Sequence, residues 1–117
     1  MPEEINKYLE KINKEDCIKF MKKLPDNCID LTVTSPPYDD LRDYENNLVW
    51  DYNTFRKVAR QLYRVTKKGG VVVWVIGDKT DRGNKSLTSF KHALYFQEVG
   101  FNIYDVIIYE KAGSGPP

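Results

Sequence analysis

The segment Ile29-Asp30-Leu31-Thr32-Val33-Thr34 runs straight into Ser35-Pro36-Pro37-Tyr38. Its β-branched residues suit a buried strand. Neither proline carries an N–H for a sheet ladder, so the strand must stop abruptly where they begin. Val71 to Ile76 is a second strand candidate, apolar on both faces, as in the middle of a parallel sheet covered on two sides. Phe101 to Tyr109 reads as a third.

Helical spacing fills the intervals. Asp16 stands at an N-cap position before Cys17, Phe20, Met21 and Leu24, and Pro25 stops that helix. A short strand is expected before it, near Leu9 to Ile12. Residues 39–51 read as a loop. Asn53 or Thr54 is expected to cap a helix whose core face is Phe55, Val58, Ala59, Leu62 and Val65, broken by Gly69-Gly70. A polar loop from Gly77 to Leu87 leads to a helix over Thr88 to Val99 that ends at Gly100. Its inward residues are expected to be Phe90, Ala93 and Leu94, with His92 at the surface. Alternating strands and helices define an open α/β sheet, mostly parallel, with helices on both faces. Ligands of such sheets bind beyond the C-terminal ends of the strands. Ser35 to Tyr38 occupies one such end and Gly77-Asp78 another.

A chain of 117 residues with 41% hydrophobic and 30% charged residues supports one folded domain. Residues 1–111 are assigned to it, and 112–117, Ala-Gly-Ser-Gly-Pro-Pro, to a linker or cut end. A net charge of +1 means that any DNA-facing basic surface is strongly localised or lies elsewhere. No apolar run approaches the roughly 18–20 residues of a membrane helix, and the acidic start lacks signal-peptide order. Cys17, Cys28 and one histidine give no zinc spacing, so no metal is expected. A reducing cytoplasm with free thiols is the expected location.

The tetrapeptide suits one demanding reaction. An exocyclic base amine is a poor nucleophile because its lone pair is delocalised into the ring. A site helps by accepting both amine hydrogens and by holding the base on a flat surface outside the duplex. Ser35 offers a hydroxyl acceptor, Pro36 a rigidly placed carbonyl, and Tyr38 a stacking face worth about 1–3 kcal/mol per base. The bland alternative is a strand-ending turn without chemistry.

Asp30 through Tyr38, the lead-in Glu15-Asp16-Cys17 to Leu24-Pro25-Asp26-Asn27, and Lys68-Gly69-Gly70 together resemble the DNA amino-methyltransferases that modify cytosine N4 or adenine N6. The likeness spans roughly residues 12–110. It implies half of a Rossmann-like methyltransferase sheet and S-adenosylmethionine as methyl donor. It also implies double-stranded DNA with a flipped target base as partner, in restriction-modification or as a solitary methylase. Ser35, Pro36, Pro37 and Tyr38 become the catalytic residues, and Asp16, Cys17, Ser35 and Pro36 the cofactor contacts. Asp16 has the plain alternative of an N-cap. Serine at the first motif position favours the cytosine-N4 enzymes, where adenine enzymes more often carry Asp.

Order distinguishes the subclass. The 34 residues before Ser35 contain no glycine, so no Gly-rich cofactor loop precedes the motif. Gly113-Ser114-Gly115 runs into two prolines and reads as a linker. Catalytic half first, cofactor half later is the order of the permuted beta group. The chain is then expected to be a front portion, nearly inactive alone and prone to self-association through an exposed sheet edge. The rivals are a non-catalytic α/β interaction module presenting Pro-Pro-Tyr to a partner, and a protein-glutamine methyltransferase, which the order disfavours. Arg42 in the loop after the motif, and the cluster Lys79, Arg82 and Lys85, are candidates for DNA phosphates or ordinary surface charge.

Overall fold

The computed structural model describes residues 3–37 and 50–108. A 3₁₀ helix, Glu3–Tyr8, opens the described residues, and Leu9 to Ile12, expected as a short strand, follow it as a turn and irregular chain. Helix α1 follows at Cys17–Lys22, capped by Asp16, whose carboxylate accepts from the Lys19 N–H at 3.1 Å. Strand β1, Ile29–Thr34, has the expected bounds. Helix α2 is Tyr52–Val65, and its cap is Asp51, accepting from the Thr54 N–H at 2.8 Å, two or three residues before the expected Asn53 or Thr54.

All five residues of the expected α2 stripe are buried: Phe55, Val58, Ala59, Leu62 and Val65. Burying one such side chain is worth about 1.5–3 kcal/mol, so this stripe anchors the fold. Around it gather Ile5, Met21, Leu24, Cys28, Tyr95 and Phe96. The guanidinium of Arg64, on α2, donates to the carbonyls of Met21 and Leu24 and to the Asp26 carboxylate. One side chain thus ties the last turn of α1 and the residues just beyond it to α2.

Strand β2 begins at Thr66, directly after α2, and runs to Trp74, so Gly69-Gly70 lies inside a strand and not at a helix break. It pairs with β1 in parallel, Leu31 opposite Val71 and Thr34 opposite Trp74, with the register slipping between Ile29 and Leu31. The extra residues loop out around Gly69, at φ +85°, a conformation that a Cβ disfavours. Gly70 sits so close that a Cβ there would meet the Asp30 carbonyl at 3.0 Å.

Helix α3, Thr88–Val99, ends at Gly100 as expected. Its buried residues are His92, Tyr95 and Phe96, while Phe90 and Leu94 are exposed, which rotates the expected face. His92 is 2% exposed, not a surface residue. It stacks on Phe55 with ring centres 3.6 Å apart. Residues 101–108, expected as part of a third strand, form no strand and pair with neither β1 nor β2. Phe101 packs on the core, and Tyr104 to Ile108 are exposed.

The described helices share one core with Ile29, Val72 and Trp74, on a single face of the sheet. Helices on both faces are therefore not found among the described residues. The opposite face bears Leu31, Val33, Val71, Val73 and Val75, exposed by 42–63%. The cause is connectivity: α2 joins β1 to β2 across one face, and α3 docks on α2 through Phe55. Among the described residues no helix is long and apolar enough to cross a membrane.

Candidate active site

The C-terminal ends of β1 and β2 lie side by side. The Thr34 carbonyl accepts from the Val75 N–H at 2.9 Å, carrying the ladder one step past the last strand pair. Ser35 therefore leaves the sheet next to the point where β2 releases its chain toward Gly77-Asp78. Ser35 is exposed, Pro36 buried and Pro37 half-buried. A buried proline ring at a strand end fixes the backbone that follows, which suits a carbonyl used as an acceptor. Tyr38, Arg42 and residues 109–117 lie outside the described residues.

Asp78 has a defined task that the sequence did not reveal. Its two oxygens accept from the Ser89 backbone N–H at 2.7 Å and the Ser89 hydroxyl at 2.8 Å. The residue at the N-cap of α3 is Leu87, at φ 58°, with no side chain to cap the helix. Asp78 performs the capping from eleven positions upstream and ties the exit of β2 to α3. Local capping rules cannot find such a partner, because they read only neighbouring residues.

Asp16 and Cys17 are placed at the start of α1, both exposed. Packing around the sulfur, then the Asp16 carboxylate, pushes the Cys17 thiol up. It stays protonated at neutral pH and is a poor nucleophile. One Asp16 oxygen is engaged by the Lys19 N–H. A carboxylate has further lone pairs for an outside donor such as a hydroxyl or amine. The donor set at α1 thus fits the polar edge of a nucleoside.

A family model described as DNA methylase matches residues 29–117. The chain belongs to the DNA methylase family. It is 58% identical over 90 residues to the orphan methyltransferase M.BamHII of Bacillus amyloliquefaciens, covering 77% of this chain and 32% of that protein. It is 31% identical over 125 residues to the type II beta methyltransferase M.BslI of Bacillus sp. (strain NEB-606), covering 92% of this chain and 14% of the relative. The type II methyltransferase M.BglII of Bacillus subtilis is 36% identical over 76 residues, 60% of this chain and 20% of its own. The chain thus spans a third or less of these relatives' length. No solved structure matches it. The resemblance read from Asp30 to Tyr38 holds at the level of family, and a named beta methyltransferase is among the relatives.

Proposed function

We propose that this DNA methylase chain carries the catalytic-motif half of an S-adenosylmethionine-dependent enzyme that methylates an exocyclic base amine in DNA. Cytosine N4 is the favoured acceptor and adenine N6 the next. The setting is restriction-modification or solitary methylation in a bacterial cytoplasm. The observation that carries the reading is the emergence of Ser35-Pro36-Pro37 at the paired C-terminal ends of β1 and β2. That edge is where open α/β sheets place their ligands.

In this reading the Ser35 hydroxyl accepts one amine hydrogen and the Pro36 carbonyl the other. The amine nitrogen becomes pyramidal and its lone pair localises. Tyr38 stacks on the flipped base, and Pro37 keeps the turn rigid. Asp16 and Cys17 contact the adenosine end of the cofactor. S-adenosylmethionine supplies an electrophilic sulfonium methyl when bound. Holding amine and methyl in line provides most of the acceleration. The rival interaction module needs the proline motif exposed and extended, and the burial of Pro36 opposes it.

The test uses the complete gene product with duplex DNA and labelled S-adenosylmethionine, followed by nucleoside digestion and mass spectrometry. N4-methylcytosine is expected. N6-methyladenine would move the acceptor, and the absence of any methylated base would overturn the reading.

A further inference from the structure

The polar loop after β2 holds a hairpin. Strands β3, Thr80–Asp81, and β4, Asn84–Lys85, pair antiparallel, with Thr80 opposite Lys85 and Asp81 opposite Asn84. Its central residues, Arg82 at φ 53° and Gly83 at φ 76°, are both left-handed, as a tight two-residue hairpin turn requires. We propose that this hairpin is a phosphate-contacting finger, which seats the DNA backbone beside the Ser35–Pro37 loop through Arg82 at its tip and Lys85 on its flank. The proposal rests on the reading of the chain as a DNA-modifying enzyme.

Position is the first argument. The hairpin leaves the same sheet edge as the candidate catalytic loop, since Val75 is bonded to Thr34 immediately before Ser35. Rigidity is the second. The Ser86 N–H donates to the Lys79 carbonyl at 2.8 Å, and the Ser86 hydroxyl accepts from the Lys79 N–H at 3.2 Å. Just before this base, Asp78 is clamped on Ser89. A rigid mount holds a charge in place with little ordering cost on binding.

Residue choice is the third. Asn is a favoured residue at the first central position of such a turn, and a long side chain there carries a backbone penalty of roughly 1–2 kcal/mol. Arg82 accepts that penalty and gains no ion pair with any described residue. Among the described residues, Lys85 reaches only the Thr80 hydroxyl, at 3.2 Å. Charge is the fourth. Lys79, Arg82 and Lys85 face one exposed carboxylate in the hairpin, Asp81, in a chain whose net charge is only +1. A DNA-facing surface on such a chain has to be a local concentration of this kind.

The test measures duplex binding by the complete protein through fluorescence anisotropy over a salt series. Arg82→Asn keeps a residue suited to the left-handed turn, so the fold is preserved. The double variant Arg82→Asn/Lys85→Gln should bind roughly tenfold more weakly and reduce the salt slope by about 2, near one per lost phosphate contact. S-adenosylmethionine affinity should not change. Arg82→Lys should retain the wild-type slope. An unaltered slope in the double variant, or an Arg82→Lys protein as weak as Arg82→Asn, overturns the finger. Wild-type protein that fails to bind DNA at all instead overturns the functional reading beneath it.

Discussion

The indole N–H of Trp74 donates to Nδ1 of His92 at 3.1 Å, joining the last residue of β2 to the middle of α3. Because Nδ1 is the acceptor, the imidazole must carry its proton elsewhere. The same ring lies flat on Phe55, with 6° between planes. Trp74 also pairs with Thr34, so this contact sets the position of the sheet edge from which Ser35 and the hairpin both depart.

Replacing His92 separates two contributions. His92→Phe keeps a ring against Phe55 but strands the indole N–H, at a cost of about 1–3 kcal/mol. His92→Ala also opens a cavity and should cost about 2–5 kcal/mol. Urea unfolding of both variants, with Trp74→Phe to close a cycle, measures the hydrogen bond directly. A His92→Phe chain as stable as the parent would show that the bond contributes nothing.

Sequence periodicity revealed α2 because its five core residues lie on one stripe of one helix. It revealed the β1 exit because two prolines act locally on the backbone. His92 escaped because its partners, Phe55 and Trp74, come from other segments. Phe101 to Tyr109 looked like a strand from apolar content, but apolar content does not name a pairing partner, and the described residues 101–108 join no ladder. Gly69-Gly70 was misread because a helix break and a β-bulge draw on the same glycine chemistry. The capping of α3 by Asp78 escaped because its partner is eleven residues away.

The two glycines should respond differently to alanine. At Gly70 the added Cβ would lie 2.8 Å from Thr66 Cγ2 and 2.9 Å from the Lys67 carbonyl. Backbone on two strands must then move, at about 1–3 kcal/mol. At Gly69 there is open space, so only the left-handed φ is penalised, by roughly 1–2 kcal/mol. Gly69→Asn should recover much of that loss, whereas Gly70→Asn should not. Thermal unfolding of the four variants tests the contrast.

Acid should loosen α2 through its cap. The Thr54 backbone N–H, then its hydroxyl, donate to Asp51 and hold its carboxyl below the usual range. A depressed carboxylate stabilises the fold above its unfolded-state pKa, and that contribution disappears as pH falls through the folded-state pKa. Asp51→Asn keeps a capping oxygen without the charge. Its helicity by circular dichroism should show a shallower acid limb than the parent's, and an identical limb would place the acid sensitivity elsewhere.

The uncovered sheet face should drive association of the isolated 117-residue chain. Leu31, Val33, Val71, Val73 and Val75 form a continuous apolar surface beside strand edges that no other described residue pairs with. Sedimentation velocity should show dimers or larger species as concentration rises. Val73→Lys, on that face and away from the core, should shift the chain toward monomer with little loss of stability. A parent that stays monomeric at high concentration would show that the face is not adhesive.

In the complete enzyme, Ser35 and Tyr38 should fail differently. On the proposed mechanism, Ser35→Ala removes an acceptor that matters most as the amine becomes pyramidal. The single-turnover methylation rate should fall while DNA and cofactor affinities stay near normal. On the same mechanism, Tyr38→Ala removes the surface that would hold the flipped base. A duplex mismatched at the target should partly rescue it, because less pairing energy opposes flipping. Tyr38→Phe and Tyr38→Trp should keep much of the activity, since stacking needs a face and not a hydroxyl. Matched and mismatched duplexes assayed side by side separate the two failures. A normal single-turnover rate in Ser35→Ala would remove Ser35 from the acceptor role and leave the Pro36 carbonyl as the motif's remaining hydrogen-bond acceptor for the amine.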